Sequence, residues 1–126
     1  MTDKSRKSNV DYEKRRSRRI PQSSKLYCHK YLFCGDEIEL KQPLVMELMN
    51  ISVDGLGIKA EQKFEDSTIL ILDIVLEDIL YEKITAKILW GIPYNGVYRY
   101  GLEISALSGR LYKHLCSLDN SIIRNI

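Results

Sequence analysis

Two clusters of hydrogen-bonding residues, about thirty positions apart, hold the chemistry of this chain: Arg15-Arg16-Ser17-Arg18-Arg19 and Asn50-Ile51-Ser52-Val53-Asp54-Gly55. An arginine head is a planar, permanently charged fork of five donors, and it suits phosphate oxygens and the N7/O6 edge of guanine better than an ammonium does. Arg15 and Arg19 stand four residues apart, roughly 13 Å in an extended segment and much less in a turn, so either geometry could span a dinucleotide. In the second cluster, Asn50 and Ser52 would emerge on one side of an extended chain, short enough to hydrogen-bond without blocking a planar base. Gly55 would then permit a turn and a close backbone approach that offers N–H groups to an acceptor. An anionic, guanine-bearing ligand is the first expectation. Each cluster also has a plainer reading, a basic linker for the first and an ordinary turn for the second.

The elements that must position these residues are short strands. Residues 1–23 are rich in Ser, Lys, Arg and Asn and close on Ile20-Pro21-Gln22-Ser23, which predicts a mobile basic arm ahead of a domain over 24–126. From Lys25 onward, apolar and alternating runs separated by turn residues predict half-buried antiparallel strands. Tyr27 to Cys34 and Glu37 to Leu40 flank Gly35-Asp36 as a hairpin. Further strands are expected over Val45 to Ser52, Leu56 to Ala60, Ile69 to Leu76, Ile84 to Trp90 and Tyr98 to Ile104, the last two joined through Gly91–Val97. In the fourth of these segments Ile84, Ala86, Ile88 and Trp90 share one face. Trp90 therefore reads first as core, with stacking on a base or an arginine as its other reading. After Ile104 the apolar period lengthens to helical spacing through Leu107, Leu111, Leu115, Leu118 and Ile122, with Ser105 or Ser108 as the cap. The expected fold is all-β dominated: a small, six-stranded antiparallel β-barrel with a C-terminal α-helix.

Size and charge narrow the function. The 126 residues, 44% of them hydrophobic, are enough for one core and no second domain. Residues 1–30 hold ten Lys/Arg against three Asp/Glu, a balance of +7, while residues 31–126 hold nine against fourteen, a balance of −5. That split argues for a localised anion site and against a nucleic-acid face, although Tyr94, Tyr98 and Tyr100 could stack bases. Cys28, Cys34 and Cys116 lack the paired spacing of a zinc site and read as small buried hydrophobes in a reducing compartment. His29 and His114 have no nucleophile motif around them, so no enzyme, catalytic residue, metal or cofactor is expected. No apolar stretch follows Met1 and the aliphatic run Ile69–Leu72 is far too short for a bilayer, so the expectation is a cytoplasmic protein without membrane insertion.

The pair Arg-x-x-x-Arg and (Asp/Asn)-x-Ser-x-x-Gly, in this order, resembles the signature of the PilZ domain, a bacterial receptor module for cyclic di-GMP. The resemblance covers nearly the whole chain: Gly55-Leu56-Gly57-Ile58 reads like the family's continuation into a strand, and Trp90 with Tyr98-Arg99-Tyr100-Gly101-Leu102-Glu103-Ile104 like its closing strands. What it implies is a PilZ-like barrel acting as a cyclic di-GMP receptor in second-messenger signalling. Arg15 and Arg19 would grip guanine and phosphate, and Asn50, Ser52 and Gly55 would hold a base from the barrel surface. Lys14, Arg16, Gly57 and Trp90 would add secondary contacts, and an unidentified downstream protein would read the bound state. A nucleotide-independent adaptor of the same fold and a nucleic-acid-binding barrel are the alternatives.

Overall fold

The computed structural model describes residues 20–124. Among them six strands, β1 (Ile20–Phe33), β2 (Asp36–Ile51), β3 (Gly55–Ala60), β4 (Ile69–Leu76), β5 (Ile79–Tyr94) and β6 (Val97–Ile104), close into an antiparallel barrel in the order β1-β2-β3-β6-β5-β4, followed by the helix α1 (Gly109–Arg124). Alternation along β4 sends Leu70, Leu72, Ile74 and Leu76 inward, and the same rule buries Leu56, Ile58 and Ala60 on β3 and Ile84, Ala86 and Ile88 on β5. Closure pairs the strands around the barrel, while Asp36–Met46 of β2 and Trp90–Tyr94 of β5 extend past it with a ladder on one side only. Leu111 and Leu115 of α1 are buried in the same core. The helix starts where Ser108 Oγ accepts the Leu111 N–H at 3.1 Å, which makes Ser108 the cap of the two serines considered.

Three two-residue turns make the long hairpins possible: Cys34-Gly35 (φ 52° and 82°), Glu77-Asp78 (49° and 68°) and Asn95-Gly96 (47° and 83°). Both central residues of each are left-handed, the geometry whose twist matches that of the flanking strands. The first turn therefore lies one residue earlier than Gly35-Asp36, with Phe33 paired to Asp36. It also exposes Cys34, while Cys28 alone of the three thiols is buried. Burial pushes the Cys28 thiol up to about 11, against backbone hydrogen bonding at Ile71 and Lys30. The expected loop over Gly91–Val97 shrinks to Asn95-Gly96, because β5 and β6 stay paired out to Tyr94 and Val97.

Two further differences have local causes. β2 is one strand rather than two: Pro43 sits where β2 has no ladder partner, between the pairs Cys28–Leu44 and Lys30–Glu39, so its missing N–H breaks nothing. β1 already begins at Ile20, so the last residues expected in the arm are part of the barrel wall.

Candidate functional site

β2 ends at Ile51, and the chain turns through Ser52, Val53 and Asp54 before re-entering the sheet at Gly55. Ser52 organises this turn. Its N–H donates to the Gly55 carbonyl at 2.8 Å, and its Oγ accepts the N–H groups of Asp54 at 3.2 Å and Gly55 at 3.3 Å. The hydroxyl lies 3.5 Å from the Gly55 carbonyl, and the residue is 3% exposed. The turn is tied to β6, whose Ile104 N–H donates to the Asp54 carbonyl at 3.0 Å. Ser52 thus lies beyond the extended strand and is buried in the bend, whereas Asn50 is half-buried on the strand itself. The Gly55 N–H, expected to face an acceptor, is taken up inside the turn.

Strand register lays out the wall beside the turn. Asn50 pairs with Gly57, Gly57 with Gly101 and Gly101 with Trp90, one row running across β2, β3, β6 and β5. The inward residues Ile58, Tyr100 and Leu102 flank this row, so it lies on the outer face. A Cβ on Gly57 would come within 2.9 Å of Asn50 Oδ1, and one on Gly101 would overlap the Trp90 indole, so both side chains lie flat on glycine backbone. Trp90 is 45% exposed, which corrects its reading as core. A bulge between Ile88 and Trp90 inserts Leu89, so the face reverses and the indole points outward while Ile84, Ala86 and Ile88 stay inside.

The neighbouring row on the same face is Lys25, Glu47, Lys59, Arg99 and Ile92, again by direct cross-strand pairing. Lys59 Nζ is 3.7 Å from Glu47 Oε1, and the Arg99 guanidinium lies over the Tyr94 ring at 5.2 Å from its centroid. Like charges set directly opposite are destabilising, so the Lys59–Arg99 pairing makes this part of the wall attractive to an anion. A depression of about 470 Å³ lined by Lys25, Glu47, Lys59 and Val97 adjoins it. The body of the chain is acidic in sum, yet this row carries three cations to one carboxylate, with Glu61 a second carboxylate in the lining of the depression. The only signal in the sequence was spacing: Lys59 lies two residues after Gly57 and Arg99 two before Gly101, and strand alternation puts each on its glycine's side.

The described chain begins next to this wall, with Ile20 paired to Ile51 and Pro21 to Asn50. Lys14, Arg15, Arg16 and Arg19 lie outside the described residues. Elsewhere the two histidines serve the scaffold. His29 Nε2 is 2.6 Å from Asp73 Oδ2, and His114 on α1 reaches the Tyr81 hydroxyl at 2.6 Å and Glu77 Oε1 at 2.8 Å. Among the described residues no group of three or more His, Cys, Asp or Glu is placed to hold a metal ion, and no helix is long and apolar enough to cross a membrane.

Searched by sequence, the chain matches no family profile and no curated protein. Solved structures are more informative. The PilZ domain of YcgR from Escherichia coli, solved with c-di-GMP, superposes with a TM-score of 0.58 over 88% of this chain and 92% of that one, at 13% identity. At that identity the likeness is one of fold: the chain is built as a PilZ-type six-stranded barrel with a C-terminal helix.

Proposed function

We propose that this chain is a cyclic di-GMP receptor, a switch without enzymatic activity whose bound form is read by a downstream protein. The observation that carries the reading is the start of β1. Because Ile20 and Pro21 pair with Ile51 and Asn50, the described chain starts beside the row Asn50, Gly57, Gly101 and Trp90, which supports a role at this wall for the Arg15–Arg19 motif that precedes it. Arg19 is one peptide unit, about 3.8 Å between Cα atoms, from Ile20. The E. coli domain of the same fold is solved with c-di-GMP, and this chain keeps both short motifs in order. Asn50 and Trp90 form the polar and aromatic ends of a flat bed for a purine. Lys59 and Arg99 face the phosphodiesters from the wall, and Arg15 and Arg19 close from the other side. Ser52 and Gly55 act through the turn that fixes where β2 stops.

Each charge-assisted contact to an ionised group contributes about 1.5–3 kcal/mol, roughly a tenfold or larger change in affinity. Calorimetric titration of the full chain with cyclic di-GMP tests this. Binding is expected to weaken at least tenfold in Arg15→Ala and in Arg19→Ala, and severalfold in Asn50→Ala. No heat with the unmodified chain, or affinity in both arginine variants equal to that of the unmodified chain, overturns the reading. Displacement by any short DNA oligomer, with no preference for guanine, would instead mark a general polyanion surface.

A further inference from the structure

The end of the barrel where β3 stops and β6 starts holds a second cavity, of about 470 Å³, lined by Phe33, Phe64, Pro93, Tyr98 and Tyr100 with Lys63, Glu65 and Asp66 among its polar lining. Its aromatic wall is ordered. Tyr98 and Tyr100 stack at 6.2 Å between centroids, and Phe64 meets Tyr100 edge-on at 5.8 Å. Gly91 completes the wall, since a Cβ there would stand 2.6 Å from the Tyr100 ring.

The polar rim belongs to the connection between β3 and β4, and that connection is pinned at both ends. Tyr100 Oη donates to the Gln62 carbonyl at 2.9 Å and accepts the Phe64 N–H at 2.7 Å. Thr68 Oγ1 donates to the Glu65 carbonyl at 2.6 Å, while Ser67 and Thr68 exchange backbone hydrogen bonds with Ile88. Between these anchors Glu65 and Asp66 are exposed, and neither carboxylate has a hydrogen-bond or ion-pair partner among the described residues. Their field reaches the cavity wall. Burial first of all pushes the Tyr100 phenol above its ordinary value, against the Phe64 N–H, and Tyr98, Glu65 and Asp66 add to the rise. Residues 61–66 carry three carboxylates and one lysine.

Aromatic faces and unpaired carboxylates share one preferred guest, a cation whose charge rests on the rings while its donors reach the acids. We infer that this cavity receives an arginine or lysine side chain presented by an extended segment of a partner protein. The side-chain stem fits the apolar wall between Phe33, Pro93 and Tyr98, and the charged head sits against Glu65 and Asp66. The site is separate from the row through Asn50 and Trp90, and the inference does not depend on the nucleotide reading.

The probe is the blocked peptide acetyl-Gly-Gly-Arg-Gly-Gly-amide, with a twin in which neutral citrulline replaces arginine, titrated into the full chain while proton-nitrogen spectra are recorded. Saturable shifts are expected at Phe64, Glu65, Asp66 and Tyr98 with the arginine peptide, and none with the citrulline twin. The double variant Glu65→Gln/Asp66→Asn should bind at least tenfold more weakly while its thermal midpoint stays within a degree or two of the parent. These residues are exposed and unpaired, so the fold does not need them. Equal shifts with citrulline, or equal binding by the double variant, overturns the inference. So does a shift of the cavity amides in the peptide-free chain on Arg15→Gln/Arg19→Gln, because the chain's own basic segment is then the occupant.

Discussion

Ser52 and Asn50 belong to one short motif but do different physical work. The Ser52 hydroxyl holds two backbone N–H groups of a buried bend, so Ser52→Ala leaves both donors without that acceptor and should cost about 1–3 kcal/mol, read as a lower midpoint in urea. Its effect on ligand affinity follows from the displaced turn. Trp90 rests on the backbone of Gly101, and Gly101→Ala should lift the indole off the wall. The expected readout is a red-shifted, more quenchable tryptophan emission together with weaker nucleotide binding; unchanged emission would contradict the placement. That a polar turn closed by Gly55 follows Asn50 was legible from type and spacing alone. The burial of Ser52 was not, because alternation assumes that the chain stays extended one residue longer than it does. For Trp90 the same assumption failed at a single inserted residue, Leu89, which no local composition marks as a bulge.

Elements were legible where one local signal dominates. β4 runs from Ile69 to Leu76 as its aliphatic pattern required, and α1 follows from the helical spacing of Leu111 and Leu115. β2 was hidden by Pro43, whose harmlessness depends on a gap in pairing that only the closed sheet reveals. Ser108 caps α1, and Ser108→Ala should cost about 1 kcal/mol. Leu115, 1% exposed between helix and barrel, is worth more: Leu115→Ala should cost about 2–5 kcal/mol, measured by chemical denaturation. If both variants lose the same amount, the helix is held by its start and not by its buried face.

At the scale of the whole molecule, function depends on rows that cross four strands, and such rows exist only once register is fixed. That is why Lys59 and Arg99 could not be assigned from sequence, although their alternation with Gly57 and Gly101 was already present in it. Closure also sets a pH limit. The Cys28 thiol is raised from 9.0 to about 11 in the folded chain, so the folded state holds its proton more tightly than the unfolded one. The group leaves stability unchanged below pH 9, and burial of the thiolate lowers stability as pH rises from there through about 11. Cys28→Val should remove that alkaline loss, seen as a flatter denaturation midpoint between those pH values. Charge is distributed in the same global sense, with a basic segment of +7 against a body of −5, and cyclic di-GMP affinity should fall steadily with added salt.

The central claim is that the arginine segment and the outer wall of β2, β3, β6 and β5 meet on one ligand. Proton-nitrogen spectra of the full chain with and without cyclic di-GMP test it most directly. The account predicts simultaneous shifts at Arg15 to Arg19, Asn50, Gly57, Gly101 and the Trp90 indole N–H, with Glu65 and Tyr98 unmoved. Shifts confined to the basic segment, or to the far end of the barrel, or none at all, would contradict it.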